Sequence, residues 1–235
     1  MAVETITWKG RFGPMDLTVG KATFRPSTIS SLLADALDFK PGSVVVDVGT
    51  GSGILSIIAA KLGASKVYGV DAAEETVEVA TANATAHGVA DRTEFAQGDM
   101  FDPLAPDLEA DVVIGDVSGI PDDIASASGW FPSGLSGGPT GAELPMRMIE
   151  ESKRLLRKGG SLFLPTGSLQ DEVSILDRAK SVFGSIKQIT ERNIPLPSSL
   201  ADDPAVLRAL KDKVIALKQR GSRLQWTARV WRIEA

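Results

Sequence analysis

The sequence predicts an α/β fold: a seven-stranded, mostly parallel sheet with helices on both faces. Three observations predict it. Short uninterrupted apolar runs alternate with helix-length segments through the middle of the chain, the pattern of strands buried on both faces. A glycine cluster follows the first β-branched run, Val44-Val45-Val46, where a strand must turn into a helix. Two further runs near the end, Ser185–Glu191 and Leu224–Ile233, supply the last two strands.

The elements follow in order. Glu4–Lys9 and Met15–Val19 alternate in polarity around Gly10-Arg11-Phe12-Gly13-Pro14, which reads as a β-hairpin. Ser27 or Thr28 caps a helix reaching Leu37, with Ile29, Leu32, Leu33 and Leu37 on one face. After Pro41-Gly42 the βα alternation begins. The Val44–Val46 strand leads to a helix over Gly53–Leu62, Lys66–Val70 is a strand, and Glu74–His87 is a helix stopped by Gly88. Thr93–Ala96, Asp111–Gly115 and Ser161–Leu164 are further strands. A helix over Leu144–Arg157, closed by Lys158-Gly159-Gly160, precedes the last of these, and another spans Gln170–Phe183. Residues 192–222 interrupt the pattern as a helical insertion: Pro195-Leu196-Pro197-Ser198-Ser199 is a loop, then Asp203 caps a helix with Pro204 at its first position. Val206, Leu210, Val214 and Leu217 carry that helix toward Gly221. Residues 1–40 form an N-terminal hairpin-and-helix unit and residues 41–235 the main domain.

Composition narrows the function classes. With 43% hydrophobic and 23% charged residues the chain has the content of a globular core. The absence of cysteine excludes disulfides, thiolate metal sites and a cysteine nucleophile. One histidine leaves no material for a histidine-rich metal centre, and no metal is implied. The net charge of −5 disfavours a nucleic-acid partner. It is unevenly spread: residues 201–235 hold eight basic and four acidic side chains, either a solvated face or a surface that meets an anion. The N-terminal stretch lacks an apolar targeting core, and no apolar run approaches the roughly 20 residues of a membrane span, so a cytoplasmic protein is expected.

The strongest chemical signal is Val46-Asp47-Val48-Gly49-Thr50-Gly51-Ser52-Gly53, a strand, a glycine turn and a helix start. Such a turn lets backbone approach a ligand and presents helix N-terminal N–H groups to it. The dinucleotide spacing G-x-G-x-x-G fails, because Ile54 stands at the third glycine. Asp47 would also repel a pyrophosphate, yet it tolerates a cation. The spacing D-x-G-x-G-x-G resembles the loop of the class I methyltransferases, Rossmann-like proteins that bind S-adenosylmethionine. Asp71 closes the next strand where a carboxylate meets ribose hydroxyls, and Gly98-Asp99-Met100 follows the third strand, where that class places an acid and an apolar residue at the adenine. The expected cofactor set is therefore Asp47, Gly49, Thr50, Gly51, Gly53, Asp71, Asp99 and Met100, with Asp116 as a further member.

The likeness extends beyond the loop. Leu17–Val19 with Phe24-Arg25-Pro26-Ser27-Thr28, then Asn83-Ala84 with His87–Arg92 and Gly98–Leu104, and finally Gly137-Gly138-Pro139-Thr140-Gly141 with Arg147–Ile149 and Leu155–Gly160, together resemble the catalytic domain of the HemK-type release-factor glutamine methyltransferases. That family reads its amide substrate with Asn-Pro-Pro-Tyr after the fourth strand. Here the place holds Asp116-Val117-Ser118-Gly119-Ile120, and only about eleven residues precede the matching hairpin, where the family carries a substrate-recognition domain.

Methyl transfer demands positioning, and a hydroxyl, acidic carbon or ammonium acceptor must also lose a proton. Asp116 is the candidate base or acceptor-positioning group and Ser118 an orienting one. Asp122 and Asp123 read as a helix start, and His87 as a helix-end residue away from the site. Trp130 and Phe131 fit either an acceptor pocket or loop packing, and Trp226 and Trp231 the last strand. The expected function is methyl transfer to a small-molecule or protein side-chain acceptor. The alternative is a partner subunit that binds cofactor without turnover.

Overall fold

The computed structural model describes residues 3–130 and 136–235. Strands β1 (Glu4–Trp8) and β2 (Met15–Val19) pair antiparallel as a separate two-stranded sheet, the expected hairpin. Helix α1 (Thr28–Ala36) starts at Ser27, whose hydroxyl accepts from the Ile29 N–H while Ser30 reaches back to the Ser27 N–H. The alternation then runs β3 (Val44–Val48), α2 (Ile54–Lys61), β4 (Lys66–Asp71), α3 (Thr76–Ala86), β5 (Thr93–Gln97) and β6 (Ala110–Gly115). Helices α4 (Asp122–Ser128) and α5 (Glu143–Leu155) lead to β7 (Leu156–Gly167), α6 (Glu172–Phe183) and β8 (Ser185–Pro195). Helix α7 (Pro204–Lys211), the short β9 (Lys218–Arg220) and β10 (Arg223–Glu234) complete the described chain.

The main sheet runs β5-β4-β3-β6-β7-β10-β8, with β9 added on β10. Pairings from β5 through β7 are parallel, and β10 is antiparallel to β7, β8 and β9. Alternation within the strands feeds two cores. Val45 and Ile114 join the packing of α1 and α2 on one face, and Val46 and Val113 join Met148, Ile149 and Ile175 of α5 and α6 on the other. A smaller core sits beside the sheet, where Ile124 of α4 and Val206 of α7 meet Leu169, Leu196, Leu200 and Ile215.

Three expectations are corrected here. The helix read through Leu217 ends at Lys211, because Lys213 takes a left-handed φ of 60° and the chain then crosses to Ser168, whose carbonyl accepts from the Ala216 N–H. The periodic Val214 and Leu217 pack on the small core from a non-helical segment. Lys158-Gly159-Gly160 is also no helix stop between elements. It lies inside the twelve-residue β7, where Gly159 at φ 81° bonds back to Ala235. Strand β8 likewise continues to Pro195, so part of the insertion is sheet.

The hairpin is fastened to α3. The Asn83 amide bonds both the N–H and the C=O of Thr18, each at 2.8 Å. The Glu75 carboxylate accepts from the backbone of Ala22 and Thr23. His87 ends α3, with its ring nitrogen 2.8 Å from the Asp16 carbonyl. Among the described residues no helix is long and apolar enough to cross a membrane.

Candidate functional site

The C-terminal edges of β3, β4, β5 and β6 converge on a cavity of about 490 Å³. The loop after β3 shapes one side. Its Gly49 and Thr50 N–H groups both donate to the Val70 carbonyl, at 2.8 and 3.1 Å. Gly49 sits at φ 77°, and a Cβ there would lie 2.5 Å from the Asp116 carbonyl oxygen, so only glycine lets the loops after β3 and β6 touch.

Asp47 lies behind this loop rather than in the cavity. It is 0% exposed, and its Oδ2 accepts from Thr50 Oγ1 and Ser56 Oγ, both at 2.7 Å. Burial pushes its carboxyl up to about 6 against those two hydrogen bonds. Asp47 thus braces the turn, and Thr50, Gly51 and Gly53 also stand outside the cavity lining. Gly49, Asp71, Asp99, Met100, Asp116 and Ser118 do line it.

Asp71 ends β4. Its Oδ2 accepts from the Gly51 N–H and its Oδ1 from the Ala73 N–H, each at 2.9 Å, which fixes the carboxylate plane without another side chain. Met100 is buried at φ 51°. Asp99 is matched by a residue that sequence reasoning did not place in the site. Arg147 of α5 donates to Asp99 Oδ2 at 2.7 Å and to Glu151 at 2.6 Å, and both carboxylates hold its guanidinium more firmly charged. Asp99 and Arg147 lie 48 residues apart, and nothing local to either signals the pair.

The other side of the cavity is built from distant segments. Asp116 follows β6, and its N–H donates to the Val48 carbonyl at 3.1 Å. Its Oδ2 accepts from Ser30 Oγ of α1 at 2.9 Å. The carboxyl opens onto the cavity but is otherwise enclosed. Burial raises it to about 7, the Asp47 carboxyl adds to the rise, and the Ser30 hydrogen bond opposes both. Two buried polar atoms of lining residues have no hydrogen-bond partner among the described residues, Ser118 Oγ and Gln170 Nε2. Gln170 precedes α6 and was not anticipated as a site residue. Its amide lies across Gly119, where a Cβ would come within 2.5 Å of Oε1. Gly137 and Gly141 pack backbone to backbone on the same loop, and the Gly137 N–H donates to the Ile120 carbonyl. The Gly137–Gly141 segment therefore clamps the loop that carries Asp116 and Ser118.

A second cavity, of about 890 Å³, adjoins the first. Phe24, Ser27, Ile29, Ile120 and Trp226 line both. Trp130 lines the larger one, whereas Phe131 lies outside the described residues. Trp231 is away from both and donates to Thr166 Oγ1. Asp122 and Asp123 open α4, and Asp123 pairs with Arg208 of α7.

The donor set restricts the ligand. Among the described lining residues of the smaller cavity, Asp71, Asp99 and Asp116 face one cation, Arg147, which Asp99 already engages. This excess of carboxyl groups suits a cationic ligand with hydroxyl donors and opposes a pyrophosphate.

Comparison with known proteins agrees with this geometry. Residues 26–118 match the family described as ribosomal protein L11 methyltransferase (PrmA). The release factor glutamine methyltransferase of Gloeobacter violaceus is 31% identical over 206 residues, covering 81% of this chain and 71% of that protein. The ribosomal protein L11 methyltransferase of Anoxybacillus flavithermus is 33% identical over 145 residues, covering 62% of this chain and 38% of its own length. The chain thus spans less than half of that relative. Among solved structures, the Thermus thermophilus 16S rRNA N2 G1207 methyltransferase in complex with AdoMet and guanosine superposes with a TM-score of 0.64 at 15% identity, over 99% of this chain and 50% of that one. The L11 methylase of Lactobacillus delbrueckii subsp. bulgaricus gives 0.54 at 19% identity, over 88% and 78%. At these identities the structures establish the fold.

Proposed function

Because the chain belongs to the class I S-adenosylmethionine-dependent methyltransferases, in the family that contains the release factor glutamine and ribosomal protein L11 enzymes, we propose that it transfers a methyl group from that cofactor to an O–H or N–H acceptor. The acceptor is a small molecule or a protein side chain. The observation that carries this reading is the Asp116 carboxyl, held by Ser30 Oγ, in one cavity with Asp71 and the Gly49 turn.

The residues present fit the cofactor. Asp71 would take the ribose hydroxyls, because its carboxylate is oriented by two backbone N–H groups and retains accepting capacity. Met100 and Val70 would offer an apolar surface to the adenine, with Asp99 beside them in the lining. Asp47, Thr50, Gly51 and Gly53 would act through the shape of the turn. S-adenosylmethionine, when bound, supplies a methyl carbon already activated by its sulfonium. The protein then has to align the acceptor and remove its proton. Asp116 suits that removal, because a base with a pKa of about 7 is half ionised near neutral pH. Asp116 Oδ would take the acceptor's proton as the acceptor oxygen or nitrogen gains the methyl carbon, the carbon–sulfur bond breaks and S-adenosylhomocysteine is left.

The test is label transfer from methyl-labelled S-adenosylmethionine into cell extract separated into protein, nucleic-acid and small-molecule fractions, with Asp71→Ala as the control. Label in one fraction, absent with Asp71→Ala, establishes turnover and the acceptor class. Tight cofactor binding with no label in any fraction would instead support the partner-subunit reading, which the missing Asn-Pro-Pro-Tyr favours.

A further inference from the structure

We propose that the larger cavity receives the apolar body of a small-molecule acceptor, and that Gln170 Nε2 and Ser118 Oγ together hold an oxygen of that molecule beside its reacting group. The inference rests on the methyltransferase reading above and names the acceptor class.

Three observations carry it. The first is the character of the larger cavity. Ile120, Trp130, Ile194, Pro195, Pro197 and Trp226 give it apolar and aromatic walls. Its 890 Å³ falls at the upper end of the roughly 300–1,000 Å³ that small-molecule sites occupy, far more than one extended side chain fills. The second is continuity. Five residues line both cavities, among them Ile120 of the loop that carries Asp116 and Ser118, so the larger cavity lies directly beside the Asp116 end of the smaller.

The third observation concerns the two unpartnered groups. Gln170 is only 7% exposed, and neither its Nε2 nor Ser118 Oγ has a hydrogen-bond partner among the described residues. A buried donor left unpaired is costly, whereas pairing it with a ligand oxygen removes the penalty. Gln170 lies against Gly119, the residue next to Ser118, and all three line the smaller cavity. Two unpaired donors on one loop-and-turn junction of the wall suit a carbonyl oxygen. Asp116, two residues before Ser118, can only accept from the reacting group when ionised. The acceptor chemistry is therefore a hydroxyl or amine adjacent to a carbonyl, on an apolar frame.

The test uses two probes on the full chain saturated with S-adenosylhomocysteine. One is 3-hydroxy-2-naphthamide, which carries a hydroxyl beside a carbonyl on a bicyclic body. The other is 2-naphthol, which lacks the carbonyl. Calorimetry on the wild type should show the amide binding about tenfold or more tightly than the naphthol, as one or two buried hydrogen bonds require. Gln170→Leu should bring the two within about twofold by weakening the amide alone, and Trp226→Ala should weaken both. S-adenosylhomocysteine affinity, unchanged in Gln170→Leu, reports that the variant is folded and that Gln170 does not serve the cofactor. The proposal is overturned if the loaded wild type binds neither probe or does not distinguish them. It is equally overturned if Gln170→Leu keeps the preference or loses cofactor affinity. Failure of the wild type to bind S-adenosylhomocysteine at all would instead bring down the methyltransferase reading.

Discussion

The two sides of the smaller cavity are built on opposite principles. On the side of β3, β4 and β5 the carboxylates that line it are engaged within the protein, and Asp47 Oδ1 and Ser52 Oγ, which have no partner among the described residues, lie behind the lining. Asp71 is held by two backbone N–H groups, Asp99 by Arg147 and Asp47 by two hydroxyls. On the side of Asp116 the polar groups come from α1, the loop after β6 and the turn before α6, and two of them are unpaired. The first side is preorganised for a ligand whose chemistry does not vary. The second is incomplete until its ligand arrives, and such incompleteness marks where specificity resides.

The most severe way to break the contrast is Gly49→Val, which strikes both sides at their contact. A side chain there meets the Asp116 carbonyl and must adopt a left-handed φ, so the fold should lose on the order of 3 kcal/mol and S-adenosylhomocysteine binding should vanish. A thermal melt with calorimetry reads both. Asp116→Asn separates the sides. Label transfer should fall by about 10²–10⁴, the range for removing a general base, while cofactor affinity stays within a few fold. In the wild type kcat/KM should rise with pH through about 7 as Asp116 ionises, and the residual rate of Asp116→Asn should be flat there. Full turnover in that variant would remove Asp116 from the chemistry. Asp71→Ala acts on the paired side, and a loss of about 100-fold in S-adenosylhomocysteine affinity by calorimetry is expected.

A gentler probe is pH. Asp47 and Asp116 have folded-state values of about 6 and about 7, above the 3.8 of an unfolded aspartate. The native state therefore holds protons that the unfolded chain has released. Their contribution is fully present below about pH 4 and is lost as pH rises through 6 and 7. Melting temperature at constant ionic strength should record this loss, and Asp116→Asn should remove its upper part. The smallest effect expected is that of Arg208→Ala. Its pair with Asp123 is exposed on both partners, so the melt should move by less than about 0.5 kcal/mol, because Val206 packing holds α7.

The same contrast explains what the sequence made legible. The glycine turn, Asp71 and Gly98-Asp99-Met100 each sit at the end of an apolar strand, so spacing alone brought them to one sheet edge. Spacing did not show that Asp47 turns inward to brace the loop, since a strand-end acid reads alike on either face. Ser30 meets Asp116 across 86 residues, and Gln170 approaches Gly119 only because the Gly137–Gly141 clamp holds that loop. No local pattern encodes such meetings. Elsewhere periodicity misled: Val206, Leu210, Val214 and Leu217 keep helical spacing, yet burial on the small core can be met by a helix followed by an extended segment.

The wall common to both cavities has a thermodynamic consequence. Phe24, Ser27, Ile29, Ile120 and Trp226 contact whatever occupies either compartment, so any rearrangement that one occupant induces in them is felt by the other. Linkage makes that influence symmetric: the factor by which a loaded first compartment alters affinity in the second equals the factor in the reverse direction. The coupling between the two occupants is then carried by five side chains, and Trp226, which lines both compartments, is placed to signal each arrival.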